Sequence, residues 1–136
     1  MFKYIIVNFI FCFCLAAEVK TYVLDQETAI KNDFTVLPNS KVENTNFHSF
    51  SISCPKIDKK QFKFVRLELY HIKNKEVVAI IPINVSLNRN YYIGTILFDM
   101  KHFEDYLILA KYSNGKGDVN EYTSSAVVKK NEKSNK

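Results

Sequence analysis

The chain has few of the residues that build cross-links and phosphate loops, and no long apolar run. Three cysteines and three glycines occur among its 136 residues. Cys12 and Cys14 lie in an N-terminal apolar run, so the rest of the chain holds Cys54 alone, which excludes an intramolecular disulfide there. Three glycines leave little material for a glycine-rich phosphate loop, and no such motif is present. No apolar run approaches the roughly 20 residues that a helix needs to span a bilayer.

The N-terminus has the three-part order of a secretory signal peptide. Lys3 provides a positive charge, Tyr4–Leu15 is a short apolar run, and Ala16–Ala17 offers a small-residue exit. We therefore predict a signal peptide over residues 1–17, cleaved after one of the two alanines, and an exported protein. The alternative is a retained N-terminal anchor or a buried helix.

The net charge of +5 is concentrated at the C-terminal end of the chain. Residues 129–136 carry a net +3, and Lys3 adds one more, so residues 18–128 are close to neutral at +1. Because a nucleic-acid-binding domain needs a basic face on the fold itself, we expect no nucleic-acid partner. We predict one domain over residues 18–128 and a basic, disordered tail over 129–136. The alternative for the tail is non-specific attraction to an anionic polymer or lipid.

Nearly every segment of the predicted domain alternates with a period of two. The predicted strands are Thr21–Leu24, Phe34–Leu37, Phe47–Cys54, Phe62–Ile72, Val77–Ile81, Tyr91–Phe98, Tyr106–Tyr112 and Tyr122–Val128. The only helix-like stretch is one turn at Asp99–Glu104. Seven or eight short strands without a long helix predict an all-β fold, an antiparallel β-sandwich, with a small barrel as the alternative.

The same alternation assigns side chains to the core. Every second residue of Phe47–Cys54 is apolar or small, so we expect Cys54 to be a buried, unreactive thiol. The core-facing residues of Phe62–Ile72 are predicted to be Val65, Leu67 and Leu69. The solvent-facing set is predicted to include Lys63, Arg66, Glu68 and Tyr70.

Other residues predict turns, a bulge and a buried strand. Pro38 begins a turn signal that ends a strand at Leu37, and Gly94 is a candidate β-bulge. Lys73–Glu76 is predicted to be a polar hairpin loop. Val77–Ile81 is a continuous apolar run, which predicts a strand that is buried on both faces or that crosses between the sheets.

The segment Asp105–Gly115 resembles the penultimate strand of immunoglobulin-like and fibronectin-type-III-like domains. In those folds a tyrosine begins the strand, apolar residues follow two and four positions later, and a glycine turn leads to the last strand. Tyr106, Ile108 and Ala110 occupy these positions. The resemblance implies an immunoglobulin-like sandwich in which the Tyr106 hydroxyl bonds to upstream backbone, as in a tyrosine corner.

With Pro38, Val65–Leu69 and Ile81–Val85, this order resembles the fungal cell-wall family whose immunoglobulin-like domain occurs in β-1,6-glucan assembly proteins and Ser/Thr-rich, glycolipid-anchored surface proteins. The resemblance covers about Phe34–Val128 and implies a role in cell-wall or extracellular-matrix interaction. The chain lacks the tryptophans that the family often has, a Ser/Thr-rich stalk and an apolar C-terminal tail. We therefore expect a free secreted module without a membrane anchor.

The titratable side chains favour a protein that is not an enzyme. No histidine lies two to four residues from another or from Cys54, so no metal site is predicted. The three histidines are His48, His71 and His102. The side chains of Glu104 and Asp105 point in different directions and do not form the carboxylate pair of a glycosidase. We expect no cofactor and no catalytic residue, and the alternative is a small hydrolase that uses His48 or Cys54.

A sequon and several tyrosines are the remaining candidates for function. Asn84-Val85-Ser86 is an N-glycosylation sequon, so Asn84 is the predicted glycan acceptor of an exported protein. Exposed aromatic rings on a sheet can stack on sugars or anchor a protein interface. The candidates for such a surface are Tyr70, Tyr91, Tyr92 and Tyr112. The alternative for these tyrosines is packing within the sheets.

The sequence therefore predicts a non-enzymatic secreted or cell-surface binding module. The partner expected from the resemblance is a cell-wall polysaccharide or a component of the extracellular matrix. The alternative is a secreted effector or inhibitor that binds a protein partner, because the same fold carries unrelated functions in different proteins.

Overall fold

A computed structural model describes residues 17–102 and 105–125 of the chain. The basic tail and, apart from Ala17, the predicted signal peptide lie outside these residues. The strands are β1 (Val19–Leu24), β2 (Thr35–Lys41), β3 (Phe47–Pro55), β4 (Lys63–Lys73), β5 (Glu76–Ile83), β6 (Val85–Asn88), β7 (Tyr91–Asp99), β8 (Tyr106–Ser113) and β9 (Val119–Ser125). A short helix, α1 (Gln26–Lys31), follows β1.

The strands form two sheets that pack face to face. The large sheet has the order β1-β9-β8-β4-β5 and the small sheet the order β2-β3-β7-β6. Neighbouring strands are antiparallel, except that β1 and β9 are parallel. The orders β4-β8-β9 and β2-β3-β7-β6 correspond to the CFG and ABED sheets of an immunoglobulin sandwich. The predicted antiparallel β-sandwich is confirmed.

The core lies between the sheets and is closed by aromatic rings. Cys54 of the small sheet is fully buried, as predicted, and Tyr112 of the large sheet is fully buried as well. The ring of Phe64 stacks on that of Tyr92 with centroids 4.4 Å apart, and Tyr112 meets Phe64 edge-on at 5.7 Å. Such stacked and edge-on pairs stabilise a core beyond the burial of their area.

The prediction that Pro38 ends its strand is wrong. β2 continues through Pro38 to Lys41, and its register against β3 shifts between these two residues. A proline fits here because β2 lies at the edge of the small sheet, where an N–H group facing away from the ladder has no strand to bond.

The period of two is interrupted in β4, so one predicted core residue lies at the surface. The register of β4 against β8 shifts between Phe64 and Arg66. Val65, between them, is 52% exposed, while Leu67 and Leu69 are buried as predicted. The prediction that Val65 shares the core face is wrong because a bulge reverses the alternation at this point.

Gly94 is needed for close packing of the sheets, and the predicted bulge there is wrong. β7 pairs with β3 through Gly94 without a register shift. A Cβ atom on Gly94 would lie 2.8 Å from Cγ2 of Ile83 and 3.3 Å from Cδ2 of Leu67. Since real Cβ atoms do not approach other carbons this closely, glycine lets the large sheet approach the small sheet here.

Helix α1 was not predicted from the sequence, because none of its residues is buried and it shows no apolar periodicity. The Asp25 side chain accepts a 2.7 Å hydrogen bond from the Thr28 N–H, and Thr28 Oγ1 accepts one of 2.9 Å from the Asp25 N–H. At the predicted turn over Asp99–Glu104, the His102 N–H donates to the Asp99 carbonyl, and residues 103–104 lie outside the described ranges. Within the described residues, no helix has the length and hydropathy that crossing a membrane requires.

Tyr112 provides a buried hydroxyl bond of the kind that the resemblance implies for Tyr106. The Tyr112 hydroxyl donates to the Pro55 carbonyl at 2.7 Å, which joins β8 to the end of β3. Burial raises the pKa of this hydroxyl, so it stays protonated and available as a donor. Tyr106 itself is half-buried, and its ring stacks on that of His71 with centroids 4.7 Å apart.

Asp58 is a buried polar centre in the loop between β3 and β4. Its Oδ1 accepts from the backbone N–H groups of Lys60 (2.9 Å) and Phe62 (2.8 Å). Its Oδ2 accepts from Nδ2 of Asn120 and the hydroxyl of Tyr122, both at 2.9 Å. One carboxylate therefore fixes the shape of the crossing loop and attaches that loop to β9.

We expect Asp58→Ala to lower the free energy of unfolding by about 3 kcal/mol, because two buried side-chain donors lose their acceptor. Urea denaturation measures this loss. The control is Asp99→Ala, which removes one surface bond to the Lys101 N–H and should cost less than about 1 kcal/mol. Equal losses in the two variants would contradict the assigned role of Asp58.

Candidate functional site

The structure separates the four tyrosines that were predicted to form one binding surface. Tyr112 is fully buried, so the prediction is wrong for this residue. Tyr92 also points between the sheets, where it stacks on Phe64. Tyr91 lies on the outer face of the small sheet and Tyr70 on that of the large sheet. The four rings do not form one surface, because alternation along the strands sends them to different faces.

Tyr70 belongs instead to an apolar row across the large sheet. Leu69 and Ile108 are paired and both buried in the core, so the next pair, Tyr70 and Leu107, faces outward. On the other side of β4, Ile80 is paired with Tyr70. The row Leu107–Tyr70–Ile80 therefore runs over three neighbouring strands on the face that points away from the core.

Leu109 extends this row along β8. It is paired with Glu68 on the same outward face and is only 4% exposed. Leu109 is not part of the buried cluster between the sheets. We define the outer patch as Tyr70, Ile80 and Leu107, with Leu109 on the same face but buried.

Paired charges border the outer patch. Arg66 forms an ion pair with the buried carboxylate of Glu68, and Nζ of Lys111 lies 3.3 Å from Oε1 of Glu121. Burial, together with the Glu68 carboxylate, raises the pKa of the Tyr70 hydroxyl, which therefore stays neutral. An apolar centre with an aromatic ring and a charged rim is typical of protein-binding surfaces.

The strand beside the outer patch is an exposed edge, contrary to prediction. Four of the five residues Val77–Ile81 are between 44% and 55% exposed. Among the described residues, β5 pairs with β4 alone, and the chain crosses to the small sheet at Asn84. The prediction that this run is buried on both faces or crosses between the sheets is wrong, because an apolar run does not reveal whether a strand has one neighbour or two.

A tight turn places β5 at this edge. Asn74 and Lys75 have φ values of +51° and +64°, as the two-residue hairpin turn of type I′ requires. The predicted hairpin loop over Lys73–Glu76 is confirmed. The register of β4 against β5 then shifts between His71 and Ile72, and continues regularly to Ile83.

The geometry of Cys54 and His48 contradicts the alternative of a Cys–His nucleophile. Both lie on β3 and on its inner face, but six residues apart. At about 3.4 Å per residue this separates them by about 20 Å. Burial raises the pKa of the Cys54 thiol to about 12, so a nucleophilic thiolate does not form near neutral pH.

No group of three metal-binding side chains occurs within residues 17–102 and 105–125. Nδ1 of His102 lies 3.8 Å from Oδ2 of Asp105, and both side chains are largely exposed at this surface turn. Glu104 lies outside the described residues. Of the adjacent acidic residues Glu104 and Asp105, the structure therefore describes Asp105 alone.

Asn84 lies where a glycan acceptor can be reached. It is exposed between the end of β5 and the start of β6, and Ser86 of the sequon is exposed as well. A glycan attached there would project into solvent beside the edge of the large sheet.

Comparison with known proteins gives no relative for this chain. No protein-family model, curated protein or solved structure matches it significantly. The likeness to the fungal cell-wall family stays a prediction from the sequence. The candidate site accordingly rests on the geometry of the outer patch and of the β5 edge.

Sequence reasoning identified Tyr70 but missed the aliphatic residues around it. Residues 107–110 are apolar at four consecutive positions, which gives β8 an apolar side chain on both faces. A strand with one wet face alternates instead. This continuous run was the available sign that the outer face of the large sheet is covered or used for binding.

We expect Cys54 in the native protein to react with iodoacetamide far more slowly than in urea-unfolded protein. At pH 8 the raised pKa alone lowers the thiolate fraction about a thousandfold, and burial also blocks access. Mass spectrometry of the peptide that contains Cys54 measures the rate in timed samples, with Cys54→Ser as the control that has no thiol at this position. Labelling of native protein at the unfolded rate would contradict the buried position.

Proposed function

We propose that the protein is a non-enzymatic, secreted or cell-surface binding module that binds a protein partner through the outer patch. The observation that carries this proposal is the row Leu107–Tyr70–Ile80 on the outer face of the large sheet. Tyrosine at the centre of an apolar surface is among the residues that dominate protein–protein affinity.

A protein partner is favoured over a cell-wall polysaccharide by the positions of the tyrosines. Sugar rings stack on exposed aromatic faces, and several such faces are needed along a chain of sugars. Tyr92 and Tyr112 pack between the sheets, which leaves Tyr70 and Tyr91 on opposite outer faces. The outer patch offers one aromatic ring among aliphatic side chains, and this composition suits an apolar protein surface.

Export is the second part of the proposal. It is supported by the order of Lys3, the apolar run Tyr4–Leu15 and Ala16–Ala17. The exposure of Asn84 within a sequon is compatible with passage through the secretory route of a eukaryotic cell. The proposal that the module is not an enzyme is supported by Cys54, whose thiol is buried and protonated.

We expect the double variant Tyr70→Ala/Leu107→Ala to weaken partner binding about thirtyfold, the effect of losing a central anchor worth about 2 kcal/mol. The assay is cross-linking on producing cells, then affinity measurement with the purified cross-linked protein. The matched control is Leu97→Ala, which truncates a side chain 55% exposed on the outer face of the small sheet.

If the double variant cross-links to the same proteins as the wild type and binds them with the same affinity, a binding role for the outer patch is contradicted. A pelleting assay with insoluble β-glucan tests the other partner class. Co-sedimentation that survives in the double variant would instead favour the cell-wall role that the sequence resemblance implies.

We expect the protein from producing cells to carry a glycan on Asn84. Treatment with an endoglycosidase should increase its electrophoretic mobility, because the glycan is removed. The variants Asn84→Gln and Ser86→Ala should both show the higher mobility without treatment. An untreated wild-type protein with the mobility of these variants would argue against glycosylation and against this evidence of export.

A further inference from the structure

Among the edge strands that the structure describes, β5 presents the longest uncharged apolar stretch, although it shares a proline and a register shift with β2. β1 carries the charged Lys20, β2 carries Pro38 and a register shift, and β6 has four residues. Charges, prolines, irregularities and short length are the devices that keep edges from pairing. β5 has eight residues, and its stretch Val77–Ile83 contains no charge.

We propose that β5 pairs antiparallel with β5 of a second copy of this chain, so that two large sheets become one continuous sheet. A two-fold interface requires a surface that is complementary to itself. The uncharged stretch Val77–Ile83 has Ile80 at its centre, and antiparallel pairing about Ile80 lays this stretch on its own copy. Ala79 then faces Ile81 of the other copy, a small residue against a large one.

The charges around β5 agree with pairing between copies. In this register Glu76 and Lys75 lie beyond the paired stretch, because the residues at the matching positions, Asn84 and Val85, have left β5 for the small sheet. No like charges face each other, which matters because directly opposed like charges destabilise a pair of strands. The net charge of +1 over residues 18–128 adds little repulsion between copies.

Two features of β5 limit the strength of this dimer. Pro82 has no N–H group to donate, and the register shift at His71 and Ile72 disturbs the other end of the strand. One pair of short strands also buries less than the roughly 1,200 Å² of a standard interface. We therefore expect a dimer that forms and dissociates with concentration.

The dimer would join the two outer patches. Ile80 faces outward beside Tyr70, so pairing about Ile80 places the two Ile80 side chains next to each other on the outer face. The row Leu107–Tyr70–Ile80 would then continue into the same row of the second copy. The inference does not require the outer patch to bind a partner, and self-association can be measured without one.

Sedimentation velocity of purified protein over a range of concentrations tests the dimer. The variants are Ile80→Lys, Ile80→Glu and an equimolar mixture of the two, with circular dichroism to verify the folded sheet content. The matched control is Val23→Lys, which adds the same charge at an 81% exposed outward position on the opposite edge of the large sheet.

We expect wild type and Val23→Lys to dimerise alike. Each charged Ile80 variant should raise the dissociation constant about a hundredfold or more, and the mixture should restore the dimer through lysine–glutamate pairing. A wild-type protein that stays monomeric at every concentration would overturn the proposal, even if it captures a strand of another protein. An Ile80→Lys variant that dimerises like wild type, or a folded mixture that stays monomeric, would overturn it too.

Discussion

The buried carboxylate of Asp58 holds together the part of the chain on which the rest of the sandwich depends. It lies in the loop that carries the chain from the small sheet to the large one, and it bonds to Asn120 and Tyr122 of β9. Beside it, the Tyr112 hydroxyl binds the Pro55 carbonyl at the end of β3. Since Cys54 is a free thiol, these polar bonds and the packed core hold the two sheets together.

This anchoring explains where the candidate surfaces lie. β8 and β4 occupy the interior of the large sheet, with β9 on one side and β5 on the other. Their core-facing residues are held by the aromatic cluster, so the residues between them, Tyr70 and Leu107, are displayed outward on a rigid frame. Within the part of the chain that the structure describes, β5 is held on one side only, by its pairing with β4 and the tight turn at Asn74 and Lys75. The rigid face and the open edge therefore adjoin at Ile80.

The sequence predicted what local alternation decides, and missed what pairing partners decide. The positions of most strands and the burial of Cys54 follow from the period of two. The exposure of Val65 depends on a bulge against β8, and that of Val77–Ile81 on the position of β5 at the edge of the large sheet. Tyr70 was found as a candidate because aromatic residues stand out in a sequence. Its companion Leu107 comes from a strand more than thirty residues away, and only the register brings the two together.

The weakness expected of the β5 dimer would be an advantage for a binding module of this kind. A single apolar patch of one tyrosine and a few aliphatic residues gives modest affinity, because binding must offset lost translational and side-chain freedom. Two patches joined on one sheet would engage two partner molecules at once, with the second contact formed at high effective concentration. Affinity would then depend on how densely the partner is arranged. A protein built this way distinguishes a surface crowded with its partner from the same partner free in solution, without any additional contact in the outer patch.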